Sequence, residues 1–557
     1  MEERYTVRRP IVNAAQLQKG MHGLPRAMKM MGFSEMRAGQ DQVVCALMAG
    51  RDAVVVLPTS LGKTACFTLP TLALNKQTLV ISPLIALMQD QVQNLRRKGV
   101  RAGCINSHNQ AMNAEYIKDW ISGNLEILVV APERLRREDF MDAMRHRRPW
   151  MVCVDEAHCL SAWSMTFRSA YCVVGDFISE LNPEVVASFT ATCPPEVEAD
   201  IRRVMCIEKA LKIVYYPRRT NLDLRSSDLP DLSGLYRAIE RVNGPVIMYC
   251  ATTKHTESLA LSLQELSGKE VGFYHGKMAP DKRSDTQNRF MQGDMNIICS
   301  TNAFGMGVDK SNVRGVFHYD MPGTVENLAQ ELGRAGRDGK YSLCMTYYSG
   351  QATRTQRFLN ECSNPSVQDV RAMYEQLRVL AGDGDIVHMS VQKIAEAARL
   401  QNTDCAYAVM QVLQGSLVVE RNKATEKQCN VRFLNRLDDT RFENLRQGII
   451  SLGDLGTDEY YKFDLLGLAT ELDLRETTVR AHLNSLAKSK VIEFVPPERA
   501  APTKIIGDES MIDFERVQKR KDDADAKLEE VIFYTKEVPD ADKHAFLEKY
   551  FCVEGHT

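Results

Sequence analysis

The chain has 557 residues, 44% apolar and 25% charged, which is room for about three or four ordinary globular domains. It has no run of eighteen apolar residues that could cross a membrane, and MEERYTVRRP at its start lacks the apolar core of a secretory signal. Its fifteen cysteines fall in no CxxC pair or zinc-finger spacing, so reduced thiols in a cytoplasm (prokaryotic or viral) or a nucleus (eukaryotic) are expected; with a net charge of −2, any polyanion must be held by local basic patches.

The first informative element is the β-branched run Ala53–Leu57, which reads as a buried parallel strand. A helix is expected from Lys63 to Leu74. Between them stands Gly62-Lys63-Thr64, the tail of a phosphate-binding loop in the strand–loop–helix context such a loop needs. Loop and helix N–H groups would hold phosphates, Lys63 would reach the β- and γ-phosphates, and Thr64 would ligate magnesium. Leu57 occupies the place of the usual first glycine. A second buried strand, Trp150–Val154, runs into Asp155-Glu156-Ala157-His158. An acidic pair at a strand's C-terminal end suits Asp155 to magnesium and Glu156 to polarising an attacking water. A solvated turn is the alternative, and the loop upstream weighs against it. Further strands are expected at Pro245–Cys250, Val271–Tyr274, Asn296–Ser300, Arg314–His318 and Leu343–Tyr348, giving a second α/β lobe with its own parallel sheet.

The loop x-P-T-S-x-G-K-T with DEAH resembles a superfamily 2 helicase, in which the first loop glycine is commonly absent. Over about residues 20–350 the chain resembles the RecQ family of DNA helicases. The resemblance implies two RecA-like lobes, with ATP and magnesium as cofactors, and it implies a role for each motif. Phe33, Arg37 and Gln40 would read adenine. Thr59, Ser60, Gly62, Lys63 and Thr64 would hold the phosphates, with Lys63, Asp155, Glu156 and His158 catalytic. Ser82–Gln91, with Ser82 and Gln89, and Ala131–Leu135, with Arg134, would contact DNA. Thr190-Ala191-Thr192 would couple hydrolysis to lobe movement. Ser300–Asp309 would lie between DNA and nucleotide, with Thr301 on DNA and Gly305 and Asp309 on the nucleotide. Gln330–Gly339 would place Gln330 on the nucleotide and Arg334 and Arg337 as arginine fingers, on one helix face if that segment is helical.

The stretch CLSAWSMTFRSAY, Cys159–Tyr171, resembles the family's aromatic-rich loop, with Trp163, Phe167 and Arg168 in its pattern. Spacing alone favours core residues; the resemblance reverses that, and exposed aromatics there would stack on bases. Ser60 and Leu61 replace loop glycines, and Met165 replaces a histidine.

Beyond Tyr348 a helical stretch Gln351–Ala381 leads to two winged-helix patterns. One is Met389–Leu400 with Asp404–Leu413 and strand Leu417–Arg421. The other is Phe463–Leu474 with Glu476–Ala487 and strand Val491–Val495; its Arg475, Arg480, His482 and Lys488 could face a DNA groove or a protein partner. Asn422–Gln428 reads as a polar turn and Pro496–Pro502 as a linker. Lys527–Gly555 resembles the two helices of the RecQ zinc module, but with Thr535 and Ala541 near the ligand positions, so an apolar hairpin without zinc is expected. The expected domains are 1–215, 216–350, 351–425, 426–500 and 501–557. The leading expectation is an ATP-dependent 3′–5′ DNA helicase acting on single-stranded and tailed duplex DNA in recombination, repair or replication, with no membrane partner. The alternatives are an RNA helicase or duplex translocase, and a nucleotide-gated nucleic-acid binding protein with weak ATPase.

Overall fold

The computed structural model describes residues 12–58, 61–83, 85–106, 110–161, 173–191, 193–216, 218–304, 310–382, 384–387, 389–421, 428–434, 440–455, 461–472, 474–495 and 503–552. They form two compact units, one of residues 1–357 with 525–557 and one of residues 358–524.

The first unit opens with seven strands: β1 (Ala53–Val56), β2 (Thr78–Ile81), β3 (Ala102–Ile105), β4 (Ile127–Val130), β5 (Met151–Asp155), β6 (Val185–Thr190) and β7 (Leu211–Val214). They make one parallel sheet in the order β3-β4-β2-β5-β6-β1-β7. Every residue of β1 to β6 is buried, as continuous apolar runs covered on both faces require. Alternate residues serve opposite faces. Val54 packs with Leu79, Leu128 and Val152, whereas Val55 packs with Val80, Val129 and Cys153 under helices Ala14–Met31, Gln40–Met48 and Lys63–Leu74. The expected strands Ala53–Leu57 and Trp150–Val154 and the expected helix Lys63–Leu74 are therefore present, with shifts of a residue at the strand ends.

Six further strands form a second parallel sheet: β8 (Leu222–Asp228), β9 (Val246–Tyr249), β10 (Val271–Tyr274), β11 (Ile297–Ser300), β12 (Gly315–His318) and β13 (Ser342–Tyr348), ordered β10-β11-β9-β12-β13-β8. Five were expected. The sixth, β8, is an edge strand whose sequence LDLRSSD alternates instead of running apolar. Residues 525–552 cover that edge. They carry the end of helix Phe514–Lys536 and helix Lys543–Cys552, and Val531, Tyr534 and Leu547 share a core with Leu222 and Leu224. Ser226 N donates to Asp540 Oδ1 at 3.0 Å, His544 Nε2 lies 2.9 Å from Leu222 O, and the Tyr216 and Phe551 rings stack at 4.5 Å. A bare sheet edge is thus closed by a hairpin from the far end of the chain.

The turn of this hairpin is tied by an ammonium. Lys543, 0% exposed, donates to Tyr534 O at 2.8 Å and Val538 O at 3.0 Å. Its Nζ lies 4.3 Å from the Tyr534 ring centroid and 3.9 Å from Asp540 Oδ1. Thr535 Oγ1, near an expected ligand position, donates to Val531 O at 2.7 Å. Burial draws the Lys543 ammonium down from 10.5 to about 8, with Asp540 opposing. The folded chain therefore releases this proton before the unfolded chain does, so stability is lower below pH 8 and rises towards pH 10.5. Against Lys543→Met, which lacks the titration, the wild-type chain is expected to gain stability as pH rises over that window. Urea denaturation followed by circular dichroism at the two ends of the window measures it.

In the second unit, helices Val367–Ala381, Val391–Ala397 and Ala406–Gly415 pack around Val370, Met373, Ile394, Val409 and Leu413. The expected continuous helical stretch 351–381 is instead two helices, Gly350–Ser363 and Val367–Ala381, broken at Asn364-Pro365 and restarted by the Ser366 cap. The small sheet of this module pairs Ile386–Val387 and Val419–Arg421 with Thr503–Ile505, all antiparallel. That pairing crosses the expected boundary at 500/501: the chain leaves the first module at Arg421 and returns to it at Thr503.

Between those points lies a second module. It has strands Gln428–Phe433, Asp454–Leu455, Tyr461–Asp464 and Ile492–Val495, and helices Thr440–Leu452, Leu465–Glu471 and Glu476–Lys488. Gln428, expected in a turn, opens the central strand. On the last helix Val479 and Leu483 are fully buried, Arg480 and His482 are half-buried, and Lys488 is exposed, as is Arg475 at its N-cap. The linker 496–502 and residues 422–427 lie outside the described residues.

Candidate nucleotide and nucleic-acid site

β1 and β5 flank β6, so the loops that leave these strands emerge together at the C-terminal edge of the first sheet, where open α/β sheets gather ligands. Leu57 N donates to Thr190 O at 3.0 Å and the Leu57 side chain is wholly buried in the core. Leu61 is also a core residue, 7% exposed. Both leucine side chains are thus committed to the core. Gly62 supplies the left-handed turn, at φ 71°, that starts helix Lys63–Leu74, and no side chain caps that helix. Its first N–H groups are left for an anion. Thr64 is half-buried in that first turn.

Lys63 Nζ lies 3.3 Å from Glu156 Oε1, and both residues are buried. Glu156 has a left-handed backbone, φ 49°, and its N–H donates to Asp155 Oδ1 at 3.0 Å. A carboxylate residue held there marks a site where strain serves geometry. Gln91 Nε2 donates to Asp155 Oδ2 at 3.0 Å. His158 Nδ1 is 3.1 Å from Thr190 Oγ1 and 3.5 Å from Glu156 Oε2. Burial would lower the Lys63 ammonium, but Glu156 and Asp155 outweigh it and hold it above its ordinary value. Burial would raise Glu156, but Lys63, His158 and Arg334 hold it below. Asp155 goes up through burial, helped by Glu156 and opposed by Lys63 and Gln91.

Glu156 Oε2 accepts no hydrogen bond among the described residues. Buried acidic oxygens beside an uncapped helix start and the Thr64 position are the hard donor set that fits a magnesium ion shared with phosphates.

The second lobe reaches the same acids. Arg334, 5% exposed, is near enough for its charge to lower Glu156. It stands in a series of turns, because helix Val325–Leu332 ends at Gly333 and Gly336 takes φ 52°. The segment is not helical, so the condition for Arg334 and Arg337 to share a helix face is not met. Arg337 is half-buried, with its Nε donating to Gly333 O at 3.3 Å. Gln330 is half-buried on the helix itself, which His318 anchors through Glu331 at 3.0 Å.

In the expected adenine reader, Gln40 already engages the loop. Its Nε2 donates to Leu61 O at 2.5 Å and its Oε1 accepts from Arg37 N at 2.8 Å. Arg37 is exposed, and half-buried Phe33 has Lys98 Nζ 4.8 Å from its ring centroid. Among the expected DNA contacts, Gln89 is exposed and Ser82 Oγ is buried without a hydrogen-bond partner among the described residues. Arg134 pairs with Asp139 at 2.8 Å, and half-buried Thr301 accepts from Ala303 N at 3.4 Å. Thr59, Ser60, Trp163, Phe167, Arg168, Gly305 and Asp309 lie outside the described residues, as do Met165 and Thr192.

Sequence reasoning missed four participants. Gln91 sits in the expected DNA segment but holds Asp155, the expected magnesium ligand. Tyr249 donates its OH to Phe304 O at 3.0 Å and shares a hydrogen bond with Arg334. Arg219 and Asn221 bind the backbone around the arginines. Only Gln91 falls in a motif with an expected functional role, although Tyr249 lies in an expected strand.

The DEAD/DEAH box helicase family matches residues 37–200, and the helicase conserved C-terminal domain matches residues 230–339. The chain is 33% identical over 317 residues to the probable ATP-dependent DNA helicase RecS of Bacillus subtilis, covering 56% of this chain and 64% of that protein. It is 35% identical over 339 residues to B. subtilis RecQ, an ATP-dependent DNA helicase, covering 60% and 57%. A putative ATP-dependent RNA helicase of Acanthamoeba polyphaga mimivirus is 32% identical over 377 residues, covering 65% of this chain and 67% of that protein. The chain belongs to the RecQ family of superfamily 2 helicases. It spans between 57% and 67% of the length of these three relatives. The two matched segments of this RecQ-family chain contain both halves of the acid–arginine site. No helix among its described residues is long and apolar enough to cross a membrane.

Proposed function

We propose that the chain is an ATP-dependent DNA helicase that moves along single strands, in the 3′–5′ direction its RecQ resemblance implies, and opens tailed duplexes. The observation that carries this reading is the composite site. Lys63 and Glu156 of the first lobe form a buried pair, and Arg334 of the second lobe acts on the same carboxylate.

The mechanism rests on that arrangement. The uncapped N-terminus of helix Lys63–Leu74 and Lys63 bind the nucleotide phosphates. Thr64 and Asp155 would hold a magnesium ion, which when bound would neutralise charge on the phosphate oxygens. Glu156 orients the attacking water and takes its proton at Oε2. Arg334 meets the charge that spreads over the transferred group in the transition state. Both lobes must contact the nucleotide for this to happen, so the cleft is closed during hydrolysis and free to open afterwards. His158, in contact with Thr190, passes the state of Glu156 to the end of β6. Lobes that grip one strand alternately turn this opening and closing into steps.

The test is ATP hydrolysis with and without single-stranded DNA, with single-stranded RNA as competitor. DNA is expected to stimulate hydrolysis strongly and RNA to compete poorly. Hydrolysis indifferent to DNA would sink the motor reading in favour of a nucleotide-gated binding protein. Stimulation by RNA equal to that by DNA would favour an RNA substrate, as the name of the mimivirus relative suggests.

A further inference from the structure

The two lobes are joined by a short crossover. Tyr215 N still donates to Val56 O of the first sheet at 3.1 Å, and Ser342 N donates to Asn221 O in the second. Between them stands Arg219. Its Nη1 donates to Gly333 O at 3.1 Å, and its Nη2 donates to Ala335 O and Gly336 O, both at 2.7 Å. Asn221 Nδ2 donates to Gly336 O and Lys340 O, both at 2.9 Å. On the other side Gly336 N is fixed to Val313 O at 2.9 Å. The turn leaves no room to shift: a Cβ on Gly336 would stand 2.5 Å from Asn221 Nδ2 and 2.7 Å from Lys340 O.

Arg219 has no carboxylate in an ion pair among the described residues. Burial lowers its guanidinium, and the positive charges of Arg337 and Arg37 lower it further. A half-buried cation facing other cations keeps its place because carbonyls at the end of helix Val325–Leu332 hold it. Those carbonyls bracket Arg334: Gly333 precedes it and Ala335 comes directly after it. The peptide plane that enters the candidate finger, and the two planes that follow Ala335 and Gly336, are thus held by one side chain that belongs to the hinge. At the start of the crossover, Tyr215 leaves no space beside Gly39 of the adenine-reading segment, where a Cβ would stand 2.8 Å from its ring.

We propose that Arg219 is a positioning residue for the arginine finger: the hinge carries it, and through the Gly333, Ala335 and Gly336 carbonyls it sets where Arg334 stands when the lobes close. The role rests on the ATPase reading above. It assigns Arg219 no contact with the nucleotide, so it predicts a defect confined to the transition state.

The experiment compares Arg219→Ala, Arg219→Lys, Arg334→Ala and the double Ala variant in the full chain. It measures kcat, KM for ATP, affinity for ADP and for ADP with aluminium fluoride, and thermal stability. Arg219→Ala is expected to lower kcat about tenfold to a hundredfold, the scale of a small misplacement at a reacting group. Binding of the aluminium fluoride complex should weaken in parallel, while KM and ADP affinity hold. Arg219→Lys should recover part of the loss, and Arg219→Ala should add nothing in the Arg334→Ala background. An equal loss in both backgrounds, an unchanged kcat, or a change confined to KM would overturn the proposal. Arg334→Ala without effect on kcat would overturn the finger reading itself, and the role of Arg219 with it. If Arg219→Ala melts early, Arg219→Lys, which keeps the charge, and Asn221→Ala carry the same comparison.

Discussion

Lys63→Ala is expected to lower kcat for ATP hydrolysis about a thousandfold, the upper range for loss of one preorganised donor. Two effects converge. The first is loss of the ammonium that would track charge onto the transferred phosphoryl group. The second is internal. Lys63 Nζ is the cation 3.3 Å from Glu156 Oε1, and its charge acts on Asp155 as well. All three groups are buried. Removing the cation leaves two adjacent acids facing each other out of water, and breaking a buried pair from one side costs about 3–5 kcal/mol. Lys63→Ala should therefore melt at lower temperature unless one acid takes up a proton. Lys63→Arg should keep the stability, because the charge stays, and still lose most activity, because a planar fork cannot occupy the place of a compact ammonium. Hydrolysis by Lys63→Ala at the wild-type rate would mean that the reaction does not use this loop.

The parts of the molecule legible in the sequence are those whose physics is local. β1 and β5 announce themselves as short apolar runs because each is covered on both faces. The helix from Lys63 to Leu74 begins where Gly62 and the loop pattern say it does. β8 gives no such signal, since an edge strand needs burial on one side and its cover arrives some three hundred residues later, through Asp540 and His544. Thr503–Ile505 is only three residues long and finds both partners before residue 422, so nothing nearby reveals that one module interrupts another. The site divides in the same way. Lys63, Asp155, Glu156 and Arg334 stand in short motifs whose residue types carry the chemistry. The grip of Arg219 is on carbonyl oxygens, which every residue possesses, so no pattern of side chains could have announced it.

Arg334→Ala is expected to lower kcat by about 10³- to 10⁵-fold, the range an arginine finger supplies in phosphoryl transfer. Arg334 comes from the lobe opposite the phosphate loop, is 5% exposed, and lowers Glu156 by its charge. A cation supplied across a cleft contributes only while the cleft is closed. ADP affinity, set chiefly by the first lobe, should hold, while binding of ADP with aluminium fluoride should weaken along with kcat. Arg334→Lys should rescue little, since one ammonium cannot reproduce two parallel N–H donors. Arg337→Ala should cost less: Arg337 is half-buried and already spends its Nε on Gly333 O. The reverse ranking would move the finger to Arg337 and leave Arg334 as the charge that keeps Glu156 ionised. Because the cation sits in one lobe and the acids in the other, the proposed hydrolysis would require closure. On the proposed mechanism, that dependence would tie each hydrolysed nucleotide to one movement of the lobes.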